Sequence, residues 1–144
     1  MRIMGKWRLF EDGATRPVVE AFALDGACAW TPVLMLVDIG ADRTVFAASV
    51  ADELRLPATR SSAGVIGLGG WAESNFVETT LKFICDEGKP ATVRGEMVTL
   101  RDAEALDMSM LGRDVLNNFD VIVSYRRKEV LLLAERHSYQ VIAS

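Results

Sequence analysis

The chain has 144 residues, half of them apolar and a quarter charged, with a formal net charge of −4. That length suits one ordinary globular domain with its own core, and the acidic balance gives no footprint for nucleic acid. Two distant cysteines, Cys28 and Cys85, and a single histidine, His137, point away from a zinc site, and no apolar stretch approaches the ~18 residues that span a bilayer. Met1 to Phe10 alternates charged and apolar residues and lacks a signal-peptide core, so a soluble, cytoplasmic protein is expected. Both cysteines stand in apolar, strand-like surroundings and read as buried free thiols.

In chain order, Pro17 to Leu24 is rich in β-formers, and Asp25-Gly26 signals a hairpin turn. Cys28 to Val37 is the return strand, in which Pro32 calls for an edge position or a bulge. Thr44 to Phe46 predicts a short strand. Ala47 to Leu56 has the apolar spacing of a short helix, stopped by Pro57. The stretch 61–70 is dense in glycine. Asn75 to Cys85 and Ala91 to Leu100 read as two strands joined by a turn over residues 86–90. Leu111 to Phe119 reads as a short helix. Val121 to Tyr125 and Val130 to Leu133 form a last hairpin around Arg126-Arg127-Lys128, three charges that fit a solvated tip. The sum is a mostly β single domain with two short helices and no linker or repeat.

Three segments carry chemical information. Val33 to Val37 is a continuous apolar run, the pattern of a strand buried on both faces, and it ends in Asp38. An aspartate there is poorly solvated, Gly40 permits a tight turn, and small Ala41 leaves space beside the carboxylate. On those residues alone Asp38 reads either as a turn cap or as a candidate acid or base. The second segment is Ile66, Gly67, Leu68, Gly69, Gly70 and Trp71. Gly67 and Gly69 with Ala72 match a loose dinucleotide fingerprint, but that needs a helix directly afterwards, and Glu73 to Phe83 is β-like. The nucleotide reading is rejected, and the segment reads as a hairpin whose glycines suit an opening flap. The third is Ser109 to Leu116, where two apolar residues and Gly112 precede Arg113 at a helix start. The helix dipole does not favour a cation there, which argues for a specific partner.

The run Asp38-Ile39-Gly40-Ala41-Asp42 resembles the active-site loop of retropepsin-like (retroviral-type) aspartic proteases, which reads Asp-Thr/Ser-Gly-Ala-Asp. The glycine-rich segment looks like their flap. Leu111-Gly112-Arg113 resembles the strand and helix start that end their core. The resemblance covers roughly residues 16 to 133, leaving short N- and C-terminal extensions. It implies an all-β fold, a single-lobe closed barrel with two short helices. Asp38 is then the catalytic acid, Ile39 to Asp42 complete its loop, and the flap binds substrate. Gly112 and Arg113 support the loop, with Arg113 holding Asp42. Since the chain has one Asp-x-Gly-Ala and pepsin-like enzymes need two, the resemblance implies a two-fold homodimer. The implied function is hydrolysis of a peptide or protein substrate between two Asp38 carboxylates, with no metal or cofactor and no nucleic-acid or membrane partner.

Ile39 departs from the pattern. In the family a Thr or Ser hydroxyl at this position hydrogen-bonds across the dimer, and each buried group left without that partner costs about 1–3 kcal/mol. Two isoleucines meeting at the axis would offset part of this by apolar burial. An active endopeptidase and a catalytically silent dimerisation or peptide-binding module of the same fold are the two outcomes implied.

Overall fold

The computed structural model describes residues 1–61, 65–67, 70–102 and 106–134. Strands β1 (Arg2–Met4), β2 (Lys6–Leu9), β3 (Thr15–Leu24), β4 (Trp30–Val37) and β5 (Val45–Phe46) lead to helix α1 (Ala48–Leu54). Then come β6 (Ala58–Ser61), β7 (Val65–Gly67), β8 (Gly70–Ala72), β9 (Ser74–Ile84), β10 (Pro90–Leu100) and β11 (Ser109–Leu111). Helix α2 (Arg113–Leu116) and the hairpin of β12 (Asp120–Ser124) with β13 (Glu129–Leu133) follow.

The long strands alternate. In β9 Val77, Leu81 and Phe83 are buried while Glu78 and Ile84 are exposed, and in β4 Val33, Met35 and Val37 are buried with Leu34 and Leu36 half-buried. Period-two burial of this kind fixes register, because a one-residue slip would turn every apolar side chain outward. The main sheet runs β2-β3-β4-β11-β5-β10-β9-β6, and β3 also pairs with β9 through Phe22 to Lys82 and Ala23 to Leu81. That pairing closes β3, β4, β11, β5, β10 and β9 into a barrel. Its interior is filled by Met35, Phe46, Leu54, Leu81, Phe83 and Leu111, all essentially inaccessible. The all-β closed barrel with two short helices expected from the sequence is the fold observed.

Several differences are informative. Residues 2–9, which the pattern leaves unassigned, form two strands. β1 pairs with β13, and Ile3 is 1% exposed in the core opposite Leu132. The helix expected over Leu111 to Phe119 shortens to α2, because Leu111 is drawn into β11 and the Asn118 side-chain amide donates to the Val115 carbonyl at 2.9 Å, closing the last turn. Cys85 is buried as expected, but Cys28 is exposed. It sits in the β3–β4 turn at φ 62°, a left-handed position that a turn imposes and a strand does not. Pro32 pairs with Phe22 on the stretch of β4 that β11 does not reach, the edge position its missing N–H requires. Residues 126–128 form the expected hairpin tip, with the Lys128 ammonium over the Tyr125 ring. His137 lies outside the described residues. Among the described residues, no helix is long and apolar enough to cross a membrane.

Because Ile3 packs into the barrel core, Ile3→Ala should lower unfolding free energy by about 2–4 kcal/mol, the usual range for a buried truncation. A urea midpoint indistinguishable from that of the unmodified protein would show that β1 contributes no core.

Candidate active site

Asp38 leaves the end of β4 where that strand runs parallel to β11, with Leu111 opposite Val37. Its backbone N–H donates to the Leu111 carbonyl at 3.1 Å, so the sheet ladder continues to the aspartate itself. The turn then closes locally. The Gly40 N–H donates to Asp38 Oδ1 at 2.9 Å, and the Ala41 N–H donates to the Asp38 carbonyl at 3.2 Å. A Cβ on Gly40 would stand 3.2 Å from that Oδ1, a tight fit that favours glycine. The carboxylate is half-buried rather than fully desolvated, and among the described residues Oδ2 accepts nothing from the chain. Asp38 Oδ1 thus caps the turn, as the turn-cap reading expects, while among the described residues Oδ2 has no hydrogen-bond partner. Ile39, next to it, is 67% exposed.

The rest of the loop is tied to the start of α2. The Arg113 N–H donates to the Ala41 carbonyl at 2.8 Å, and the Asp114 N–H donates to that of Asp42 at 3.3 Å. The Arg113 guanidinium also bonds the Asp42 carboxylate, the partnership expected from the sequence. Asp42 thus supplies the carboxylate that offsets the dipole misfit of Arg113. Their side chains are 53% and 78% exposed, however, and a pair so solvated contributes at most about 1 kcal/mol.

Two residues with no role assigned from the sequence form the stronger tie. Thr44 is fully buried, and its N–H meets both oxygens of Asp114 at 2.9 and 3.0 Å. The Thr44 hydroxyl donates to Asp114 Oδ1 at 2.7 Å and accepts the Gly112 N–H at 3.1 Å. A threonine inside the short apolar strand 44–46 was the available signal; a buried hydroxyl needs a partner. Gly112 is there because the chains cross at van der Waals contact. A Cβ would lie 2.3 Å from the Arg43 carbonyl carbon and 2.4 Å from its oxygen.

The glycine-rich segment is the antiparallel hairpin β7–β8, with Ile66 opposite Trp71 and Gly67 opposite Gly70. Gly70 has φ +100°, a conformation that glycine supplies at no steric cost, and Trp71 is 69% exposed. Leu68 and Gly69, also expected in the flap, lie outside the described residues.

No family model matches this sequence, and no curated protein does. Solved structures do match. One is EIAV protease complexed with the inhibitor HBY-793, at 25% identity and TM-score 0.55, covering 71% of this chain and 86% of that one. Another is a retropepsin-like aspartic protease from Rickettsia conorii, at 17% identity and TM-score 0.59, covering 92% of this chain and 98% of that one. The fold of this chain is retropepsin-like.

The unequal worth of the two ties is measurable. Asp114→Ala strips the acceptor from buried Thr44 and should destabilise the protein by about 1–3 kcal/mol. Arg113→Ala, at the exposed pair, should cost less than about 1 kcal/mol. Thermal or urea unfolding of the two variants side by side tests the order, and a larger loss from Arg113→Ala would reverse the assignment.

Proposed function

We propose that this protein is an aspartic endopeptidase that acts as a homodimer, with two Asp38 carboxylates facing each other across the two-fold axis. The observation that carries the reading is the Asp38 turn. A half-buried carboxylate with one oxygen capped by Gly40 and the other without a hydrogen bond among the described residues stands at the end of a barrel strand in a retropepsin-like fold. The chain holds one such loop, so the second carboxylate comes from a second copy. Two supports for association are the exposed Ile39 beside the carboxylate and the place of β12 at the edge of its sheet, with one side unpaired among the described residues.

Two carboxylates at close range share one proton and titrate as a pair. The ionised one takes a proton from a bound water, and the water oxygen attacks the scissile carbonyl carbon. The protonated one gives its proton to the carbonyl oxygen. Collapse of the tetrahedral gem-diol breaks the C–N bond as the newly protonated carboxyl gives its proton to the amine nitrogen, while the ionised partner takes a proton from a gem-diol hydroxyl, so the pair again holds one proton. The β7–β8 hairpin covers an extended peptide bound as an added strand. The exposed isoleucine at position 39 favours one second reading, a silent module of the same fold that binds peptide or merely dimerises. Cleavage of a peptide library, inhibition by a hydroxyl-bearing pepstatin-like mimic and sedimentation over a concentration series test the two readings together. Cleavage abolished by Asp38→Asn supports the protease; a dimer that never cleaves supports the module.

Replacing Ile39 by Thr supplies the missing hydroxyl. Ile39→Thr should raise specific activity or tighten the dimer by roughly threefold to tenfold, the worth of a net hydrogen bond. A weaker dimer would mean that the two isoleucines pack on each other and form the lock themselves.

Acid favours the shared proton but works against the scaffold. The Arg60 guanidinium holds the Glu96 carboxyl below its ordinary value, the Arg2 backbone N–H and side chain do the same for Asp86, and Arg16 lowers Asp12 to about 2. A depressed folded-state pKa stabilises the native state above the unfolded value, near 4, and that contribution is lost as pH falls through the folded value. The urea midpoint should therefore hold from pH 7 to about 5 and drop below about 4, less steeply in Glu96→Gln. A midpoint that stays flat down to pH 2.5 would remove these carboxylates from the account.

A further inference from the structure

The β7–β8 hairpin stands on two stems that are fastened by different chemistry. Its exit runs through Glu73 into β9, and there the Arg101 N–H donates to the Glu73 carbonyl at 3.1 Å. That bond joins backbone groups and does not titrate. Its entry comes from β6, the edge strand of the main sheet, which pairs with β9 alone among the described residues. The β6–β9 register shifts between Ala58 and Arg60, so Thr59 falls outside the regular ladder. An edge strand with a broken ladder is weakly held by its own backbone.

Side chains supply what the ladder lacks. Glu96, on β10, reaches across β9 to β6. Arg60 donates to Glu96 Oε1 at 2.6 Å from Nη2 and at 3.2 Å from Nε. The same guanidinium lies over the Phe76 ring of β9, 4.0 Å from its centroid, and such stacking leaves the in-plane N–H edge to the carboxylate. The Thr59 hydroxyl stands 3.1 Å from Glu96 Oε2 and 3.2 Å from the Phe76 carbonyl, and its one proton serves either. One carboxylate therefore fastens both residues at the irregularity. Two other charged groups face it. Arg43 adds a second positive field, and Glu78 lies directly opposite on β9 with its own carboxylate held by Arg94. β5, the remaining strand beside β10, carries no charge. The Arg60 contact is the strongest of these influences, and it keeps the Glu96 carboxyl below its ordinary value.

We propose that Glu96 is a pH-operated latch on the entry stem of the hairpin: ionised, it fastens β6 through Arg60 and Thr59; protonated, it lets β6 and the hairpin move away from the barrel. The sign follows from the contacts. Loss of the charge removes the partner of the guanidinium and leaves the Thr59 proton to the Phe76 carbonyl. The latch is closed at neutral pH and releases as pH falls below about 4. The acid that supplies the shared proton of the two Asp38 carboxylates thereby loosens the cover over them. The inference rests on the reading of the hairpin as the cover of a bound peptide, and its test does not need cleavage.

Backbone amide exchange of the full-length chain, resolved by mass spectrometry and corrected for its intrinsic pH dependence, is followed from pH 7 to pH 3. The unmodified protein is compared with Glu96→Gln and Arg60→Gln. At pH 7 both variants should exchange about threefold to fivefold faster over residues 58–61 and 65–72, the worth of a partly solvated pair, with residues 77–84 unchanged. On acidification the unmodified protein should rise to the level of the variants in those two segments while Glu96→Gln stays flat. Equal rates in all three proteins at pH 7 overturn the latch. So does acceleration spread evenly through β9 and β10, which is a general loss of stability, and so does an acid response that persists in Glu96→Gln. If a peptide library shows no cleavage, the protease reading fails, and the exchange pattern still decides the latch.

Discussion

Everything at the Asp38 loop depends on one crossing. The chain that ends β11 passes against the Arg43–Thr44 backbone so closely that only a glycine, Gly112, fits at the contact. That closeness brings the start of α2 within reach of the loop, where buried Thr44 exchanges three hydrogen bonds with the Asp114 carboxylate and accepts a fourth from the Gly112 N–H. A buried polar group costs stability unless it is satisfied, so this small network tolerates one arrangement and penalises others. The parallel pairing of β4 with β11 then delivers Asp38 from the same crossing. Loop, glycine and short helix form one unit assembled from residues some seventy positions apart.

What could be read in the sequence was what is local or periodic. The alternation in residues 75–85 and 91–100 marked β9 and β10, and the Asp25-Gly26 turn marked the hairpin between β3 and β4, all within a few residues. The three candidate-site segments stand out because each has an unusual local composition. What escaped depends on distant partners. β1 and β2 have no apolar run of their own, and they exist because β13 and β3 lie beside them. The Thr44–Asp114 tie could not be seen because nothing local links a threonine to an aspartate across the barrel. The Asp42–Arg113 pair was easier to anticipate, yet solvent exposure makes it the weaker of the two. Cys28 was misjudged because a turn overrode an apolar neighbourhood.

Ile39 belongs to a different order of constraint. Among the described residues nothing buries it, so their packing does not account for a β-branched apolar residue beside the carboxylate. Side chains of that size are exposed at a modest cost, and contiguous exposure is usually covered by something. The neighbouring Gly40 and Asp38 already satisfy the turn, so the identity of residue 39 is free to be set by whatever meets the loop from outside.

The pairing of β1 with β13 bears on how the molecule is made. Residues 2–4 are made well before residues 131–133, and their ladder can form only once both are present. The barrel itself cannot close around β11 until residues 109–111 have been synthesised, and the Asp38 loop is unbraced until Asp114 follows them. Contacts this far apart in sequence make for slow, late folding, on the scale of milliseconds to seconds for β-rich domains. From the synthesis of Asp38 until that of Asp114, the loop of a nascent chain therefore lacks the contacts that fix its shape. The loop takes its braced shape only after Asp114 has been made, a timing set by topology.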